Sequence, residues 1–109
     1  MPWLLRGGEV LATVEVADTL PSRVRGLLGR DGLDGALLLR PARSVHTLGM
    51  RFPIDVAYLD ADLVVQGVAT MRPHRLGLPR VRCACVVEAR AGAFERWRLV
   101  PGDHLELKG

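Results

Sequence analysis

Hydrophobic and polar positions first alternate over residues 10–16, where Val10, Ala12, Val14 and Val16 fall on one face and Leu11, Thr13 and Glu15 on the other. A period of two is the pattern of a half-buried strand. The period lengthens in "TLPSRVRGLLG", with Val24, Leu27 and Leu28 at i, i+3 and i+4. Thr19 is placed to cap, Pro21 stands in the first turn and Gly29 follows the last periodic residue, which predicts a short amphipathic helix. Arg23 and Arg25 lie on its polar face, with Arg30 just past its end. "GALLLRP" is an apolar run too short for a buried helix and reads as a strand. "VHTLGM" is a further strand candidate.

"PIDVAYLD" and "LVVQGVAT" are two β-rich runs that Asp60, Ala61 and Asp62 would turn into a hairpin, expected to form the centre of the sheet. "MRPHRLGLPR" carries two prolines, a glycine and three arginines and reads as an exposed basic loop. In "VRCACVVEA" alternation returns, placing Val81, Cys83, Cys85 and Val87 on one face and Arg82, Ala84, Val86 and Glu88 on the other. "AGAFERWRL" predicts a helical turn or two burying Phe94 and Trp97, and "VPGDHLELK" a turn and a last strand. Short strands, two short helices and frequent turns together predict an α+β fold, mostly antiparallel β, as a strongly bent sheet or a small barrel.

Length and composition narrow this picture. A chain of 109 residues suits one domain spanning 1–109, and 49% hydrophobic with 25% charged residues is the balance of a soluble globular protein, not a disordered or fibrous one. The apolar run before Arg6 is too short for a signal peptide and no run approaches the ~20 residues of a membrane span, so no membrane association and a cytoplasmic location are expected. Two cysteines, Cys83 and Cys85, do not make the disulfide framework of a small secreted scaffold, and both are expected to be reduced.

Charge is concentrated in the middle third. Residues 40–82 carry seven basic and three acidic groups, against four and five before them and four and four after. Fourteen of the fifteen basic residues are arginine, the side chain suited to bidentate contacts with carboxylate or phosphate.

The series "RVRGLLGR", "SVHTLGMRFPIDVAYLD" and "VVEARAGAFERWRLVPGD" resembles the domain-of-unknown-function 192 family of small bacterial and archaeal proteins, from Val10 to Leu107 and in the expected order. The resemblance rests on an Arg-x-x-Gly-Leu helix, a polar span leading into Pro-Ile-Asp, a Glu-Ala-x-Ala-Gly helix start and a closing Pro-Gly-Asp turn. It implies a compact, mostly β domain and no established activity. Many members are exported behind a signal segment, and relatives often carry tryptophan, lysine and asparagine near the positions of His46, Met50 and Arg51. By similarity, Arg23, Gly26, His46, Arg51, Asp55 and Glu88 are expected near the shared surface.

Three chemistries compete. The leading one is a non-enzymatic binding or accessory module for an anionic small molecule or an acidic protein surface, because Arg40, Arg43, Arg51, Arg72, Arg75, Arg80 and Arg82 lie in or beside turns and could converge. The alternative to such a site is a solvated basic loop. An enzyme would use His46 and Asp55 as an acid–base pair, although no Gly-x-Ser-x-Gly elbow supplies a nucleophile. A nucleic-acid-binding small barrel is the third, not indicated by any motif and with Trp3 as its one spare aromatic. The resemblance implies Arg23, His46, Arg51, Asp55 and Glu88 as ligand-binding residues, and the basic loop adds Arg75. No metal and no cofactor are expected, since Cys83 and Cys85 share their face with valines and read as buried, inert thiols.

Overall fold

The computed structural model describes residues 2–27 and 29–109, with the side chains of Val24 and Arg25 left out. Seven strands are present: β1 (Trp3–Arg6), β2 (Glu9–Ala17), β3 (Ala36–Leu39), β4 (Ile54–Leu59), β5 (Val65–Met71), β6 (Cys85–Arg90) and β7 (Leu105–Lys108), with helices α1 (Leu20–Arg25) and α2 (Ala93–Trp97). They form one sheet in the order β5-β4-β6-β3-β2-β1-β7. Five of the six ladders are antiparallel and β2–β3 is parallel, with α1 in the connection between its strands. The fold is α+β, as the pattern predicts.

The sheet is strongly bent but not closed. β5 and β7 stand at opposite ends of the order. They meet at a single bridge, Val64 to His104, flanked by bonds such as Val65 N–H to the Asp103 carbonyl at 2.8 Å. No ladder follows from that contact, so the barrel expectation is corrected. The β4–β5 hairpin also lies at one end of the sheet rather than its centre, which β6 and β3 occupy. Its turn is held by Asp60, whose Oδ1 accepts from the N–H groups of Asp62 and Val64 at 2.9 and 3.0 Å. A carboxylate can thus do locally what glycine does by conformational freedom.

Two apolar clusters lie on the two faces of the sheet. Leu38, Ala57, Leu59, Cys85 and Val87 pack with Phe94 and Leu99 in one, whereas Leu37, Val56, Tyr58 and Val86 pack with Leu27, Val45, Met50 and Phe52 in the other. The expected inward face of β2 breaks at its start, because Val10 is exposed. Leu4 pairs with Ala12 and Leu5 with Val10, so Leu11 is the extra residue of a bulge and packs against the core instead. β1 was not predicted: its four residues are too few to show a period.

Around α1, Thr19 caps as expected. Its Oγ1 accepts from Ser22 N–H at 3.3 Å while Ser22 Oγ accepts from Thr19 N–H at 3.1 Å. The helix stops at Gly26, three residues before the predicted glycine, because Gly26 adopts φ +45°, outside the helical region. The predicted roles of Val24, Arg25 and Leu28 lie outside the described side chains. Residues 45–50 form no strand, only a bridge from His46 to Leu76. The cysteines do not share a face either: β6 begins at Cys85, and Cys83 packs in the opposite cluster. Among the described residues no helix is long and apolar enough to cross a membrane.

Candidate ligand-binding site

Glu88 occupies the middle of β6, where its cross-strand neighbours are Leu37 and Val56. It is 4% exposed, in a position whose surroundings are those of a core valine. Its carboxyl reaches a cavity of about 100 Å³, roughly three waters by liquid volume. The walls are apolar, from Leu27, Leu39, Val45, Met50 and Val86, and the polar lining comes from Arg23, Ser44, His46 and Glu88. Among the described residues Glu88 forms no ion pair. Burial alone pushes its carboxyl up to about 7, since the charged form has lost water without gaining a counter-charge.

The early stop of α1 shapes this cavity. Arg23 on the last turn lines the opening, and Gly26 turns the chain so that Leu27 enters the core below. The Arg23 guanidinium donates from Nη1 to the Arg40 carbonyl at 3.4 Å, its one side-chain hydrogen bond among the described residues. On the opposite side, the segment carrying Ser44 and His46 is fixed by Thr47, which is fully buried. Thr47 Oγ1 donates to the Arg72 carbonyl at 2.6 Å and accepts from Arg75 N–H at 2.8 Å. Its backbone N–H donates to the Arg75 carbonyl at 2.8 Å and its carbonyl accepts from His74 N–H at 2.7 Å. His46 itself is exposed at the cavity lip.

Arg23, His46 and Glu88 therefore come together, along with Gly26. The other three predicted residues go elsewhere. Asp55 lies on the far face of β4, where Oδ1 accepts from the Thr70 hydroxyl at 2.7 Å and Oδ2 accepts from Gly92 N–H and Phe94 N–H at 2.9 and 3.1 Å. It is an N-terminal cap for α2 delivered from a neighbouring strand, which physically joins the Pro-Ile-Asp and Ala-Gly elements of the sequence signature. The His46–Asp55 acid–base pair does not form, because Asp55 Oδ1 is engaged by Thr70 of β5 and Oδ2 by the first N–H groups of α2. Arg51 Nη1 pairs with Asp31 Oδ1 at 2.8 Å on the surface. Arg75 lines a separate groove beyond the sheet edge.

The arginines of the middle third divide likewise. Arg72, Arg75 and Arg80 share the groove, while Arg51 sits in its own ion pair. Phe52, Tyr58 and Phe94 are buried and Trp97 half-buried against Phe94, leaving Trp3 as the exposed aromatic. The open sheet corrects the barrel part of the nucleic-acid reading, and Trp3 is the one exposed aromatic among the described residues. Both cysteines are free and buried. Burial pushes the Cys83 thiol up, and burial, then the neighbouring Cys83, pushes Cys85 up to about 11, which makes them poor nucleophiles. Among the described residues no three His, Cys, Asp or Glu side chains converge as a metal site would require.

Glu88 is among the residues expected by similarity, whereas the sequence does not single out Thr47. The local signal for Glu88 is a lone carboxylate inside "CVVEAR"; Thr47 gives none, since a threonine between His46 and Leu48 looks like any loop residue.

Comparison with known proteins agrees with this architecture. The chain is 30% identical over 106 residues to UPF0127 protein PF1050 of Pyrococcus furiosus, covering 93% of this chain and 91% of that one. It is 29% identical to UPF0127 protein PYRAB11210 of Pyrococcus abyssi, covering 85% and 84%. The crystal structure of a protein of unknown function from Novosphingobium aromaticivorans superposes with a TM-score of 0.83 at 23% identity, over 97% of this chain and 84% of that one, a likeness of fold. The DUF192 pattern, described as Uncharacterized ACR, matches residues 4–107, and the chain belongs to that family.

Proposed function

We propose that this protein is a binding module for a small carboxylate, held in the cavity between α1 and residues 42–50 with Arg23 and His46 at its mouth and Glu88 at its floor. The observation that carries the reading is Glu88, a buried carboxyl facing an open cavity among aliphatic neighbours. Buried ionisable groups without a partner are costly and concentrate where they act on a ligand. In its protonated form Glu88 donates a hydrogen bond to a ligand oxygen, while Arg23 supplies the positive charge. Apolar walls accept a short alkyl chain, and the volume suits a ligand of only a few heavy atoms. The reading includes a cytoplasmic setting, supported by the two free buried thiols.

A proton on Glu88 makes binding depend on pH. Among the described residues Arg23 and His46 are the charged or titratable groups lining the cavity with it, and β3 and β4 contribute Leu37, Leu39 and Val56 around it. Above a pH of about 7 the site must recapture a proton to bind an anion, so affinity falls by about tenfold per pH unit; below it, affinity is flat. Calorimetric titration with propionate from pH 6 to 9 tests this. Glu88→Gln, which carries a permanent donor, is expected to bind with a flat profile, and Arg23→Ala to weaken binding by roughly tenfold or more throughout. Propionate affinity that is flat or rises across this range would contradict the reading.

A further inference from the structure

A second surface lies outside that cavity. Beyond β5, the terminal strand of the sheet, the chain from Arg72 to Val81 borders an open groove of about 820 Å³. Arg72, Arg75 and Arg80 line it, and none of the three forms a salt bridge among the described residues. Interleaved with them, Leu76, Leu78 and Val81 are 75%, 84% and 87% exposed. Arg80 is held in place, its guanidinium carbon 4.0 Å from the centroid of the Tyr58 ring. The loop is no loose excursion: Gly77 N–H donates to the Val45 carbonyl at 2.8 Å and Arg80 N–H to the Arg43 carbonyl at 3.0 Å. Exposed large aliphatics on an anchored backbone, alternating with uncompensated cations, make a preorganised surface.

We infer that this groove docks an extended acidic segment of a partner protein, laid along β5 with its carboxylates on Arg72, Arg75 and Arg80 and its apolar side chains on Leu76, Leu78 and Val81. Charge complementarity selects the occupant. An isologous pairing of two copies through this face would set the three arginines against their own counterparts, which opposes a dimer here. A free small anion would satisfy the guanidiniums but leave the aliphatics in water. A terminal strand offers unpaired backbone groups to an extended chain, and a concave wall suits a peptide better than the flat surface of a membrane.

The test uses the full chain and a fluorescein-labelled peptide of sequence DLEVDLEV, followed by anisotropy. Binding is expected to weaken about tenfold or more in the Arg72→Glu/Arg75→Glu variant, in roughly 0.5 M salt, and for the neutral peptide NLQVNLQV, with Glu88→Gln leaving it unchanged. The two peptide arms and the salt arm need no variant, so a misfolded double mutant does not obscure the result. Equal affinity for the two peptides, or no binding of either, overturns the inference. So does binding confined to phosphatidylglycerol vesicles, which makes the surface a membrane contact, or concentration-dependent self-association abolished by Leu78→Asp, which assigns it to a second copy.

Discussion

Glu88 is a carboxyl buried between Leu37 and Val56, and that burial has a cost that depends on pH. The native state holds a proton that the unfolded chain releases near 4.5, so stability declines as pH rises from about 4.5 to about 7 and then levels off. The difference corresponds to about 3 kcal/mol at the upper plateau. Glu88→Gln is therefore expected to raise the urea midpoint at pH 8 and to leave it nearly unchanged at pH 4; coincident curves at pH 8 would contradict the burial of an unpaired carboxylate. Asp55 is the opposite case, a buried carboxylate with three donors around it. Asp55→Ala strands the N–H groups of Gly92 and Phe94 and should cost roughly 3 kcal/mol, read by chemical denaturation, with propionate binding retained wherever the variant stays folded.

At the level of elements, the cavity exists because α1 ends at Gly26 and because Thr47 joins residues 44–47 to residues 72–75. Thr47→Val keeps the shape and removes the hydroxyl, leaving the Arg72 carbonyl and the Arg75 N–H unpaired at that point. A loss of about 1–3 kcal/mol and faster amide exchange at His74 and Arg75 are expected; unchanged exchange there would show that the backbone bridge alone holds the two segments together. β2 and β6 were legible in the sequence from alternation; β4, buried at all six positions, shows no period, and it, β3 and β5 were legible as short apolar, β-rich runs. The hairpin's position was not, since order in a sheet depends on long-range pairing: β6 inserts between β3 and β4 from a distant stretch of chain. Cys83 and Cys85 misled for a related reason, because alternation was extended through a turn that comes before the strand begins. Asp55 was identified as important, but its partner was wrongly inferred. Proximity in sequence pointed to His46, whereas its hydrogen-bond partners lie 15 to 39 residues away.

On the scale of the whole molecule, the sheet keeps two sorts of chemistry apart. Asp55 and α2 are on one face, while Glu88 and its cavity are on the other, covered by α1 and residues 42–50. The cavity and the arginine groove share a wall at Val45 and Gly77, where a methyl group on Gly77 would fall 2.7 Å from the Val45 carbonyl oxygen and push the two segments apart. Gly77→Ala is thus expected to perturb both surfaces at once, seen as a loss of affinity for propionate and for DLEVDLEV together; loss of one alone would show that the surfaces are built independently. The excess of arginine in residues 40–82 is distributed by the fold, with three at the groove and Arg51 neutralised by Asp31, so net charge alone did not locate a site. On the proposed reading a proton resides on Glu88 and is retained when the anion binds. Carbon-13 NMR of the Glu88 side-chain carboxyl, titrated with and without saturating propionate, reads this directly. A midpoint near 7 in the free protein that moves upward when propionate binds is the predicted result; a midpoint in the ordinary carboxylate range, or one that moves downward on binding, would contradict it.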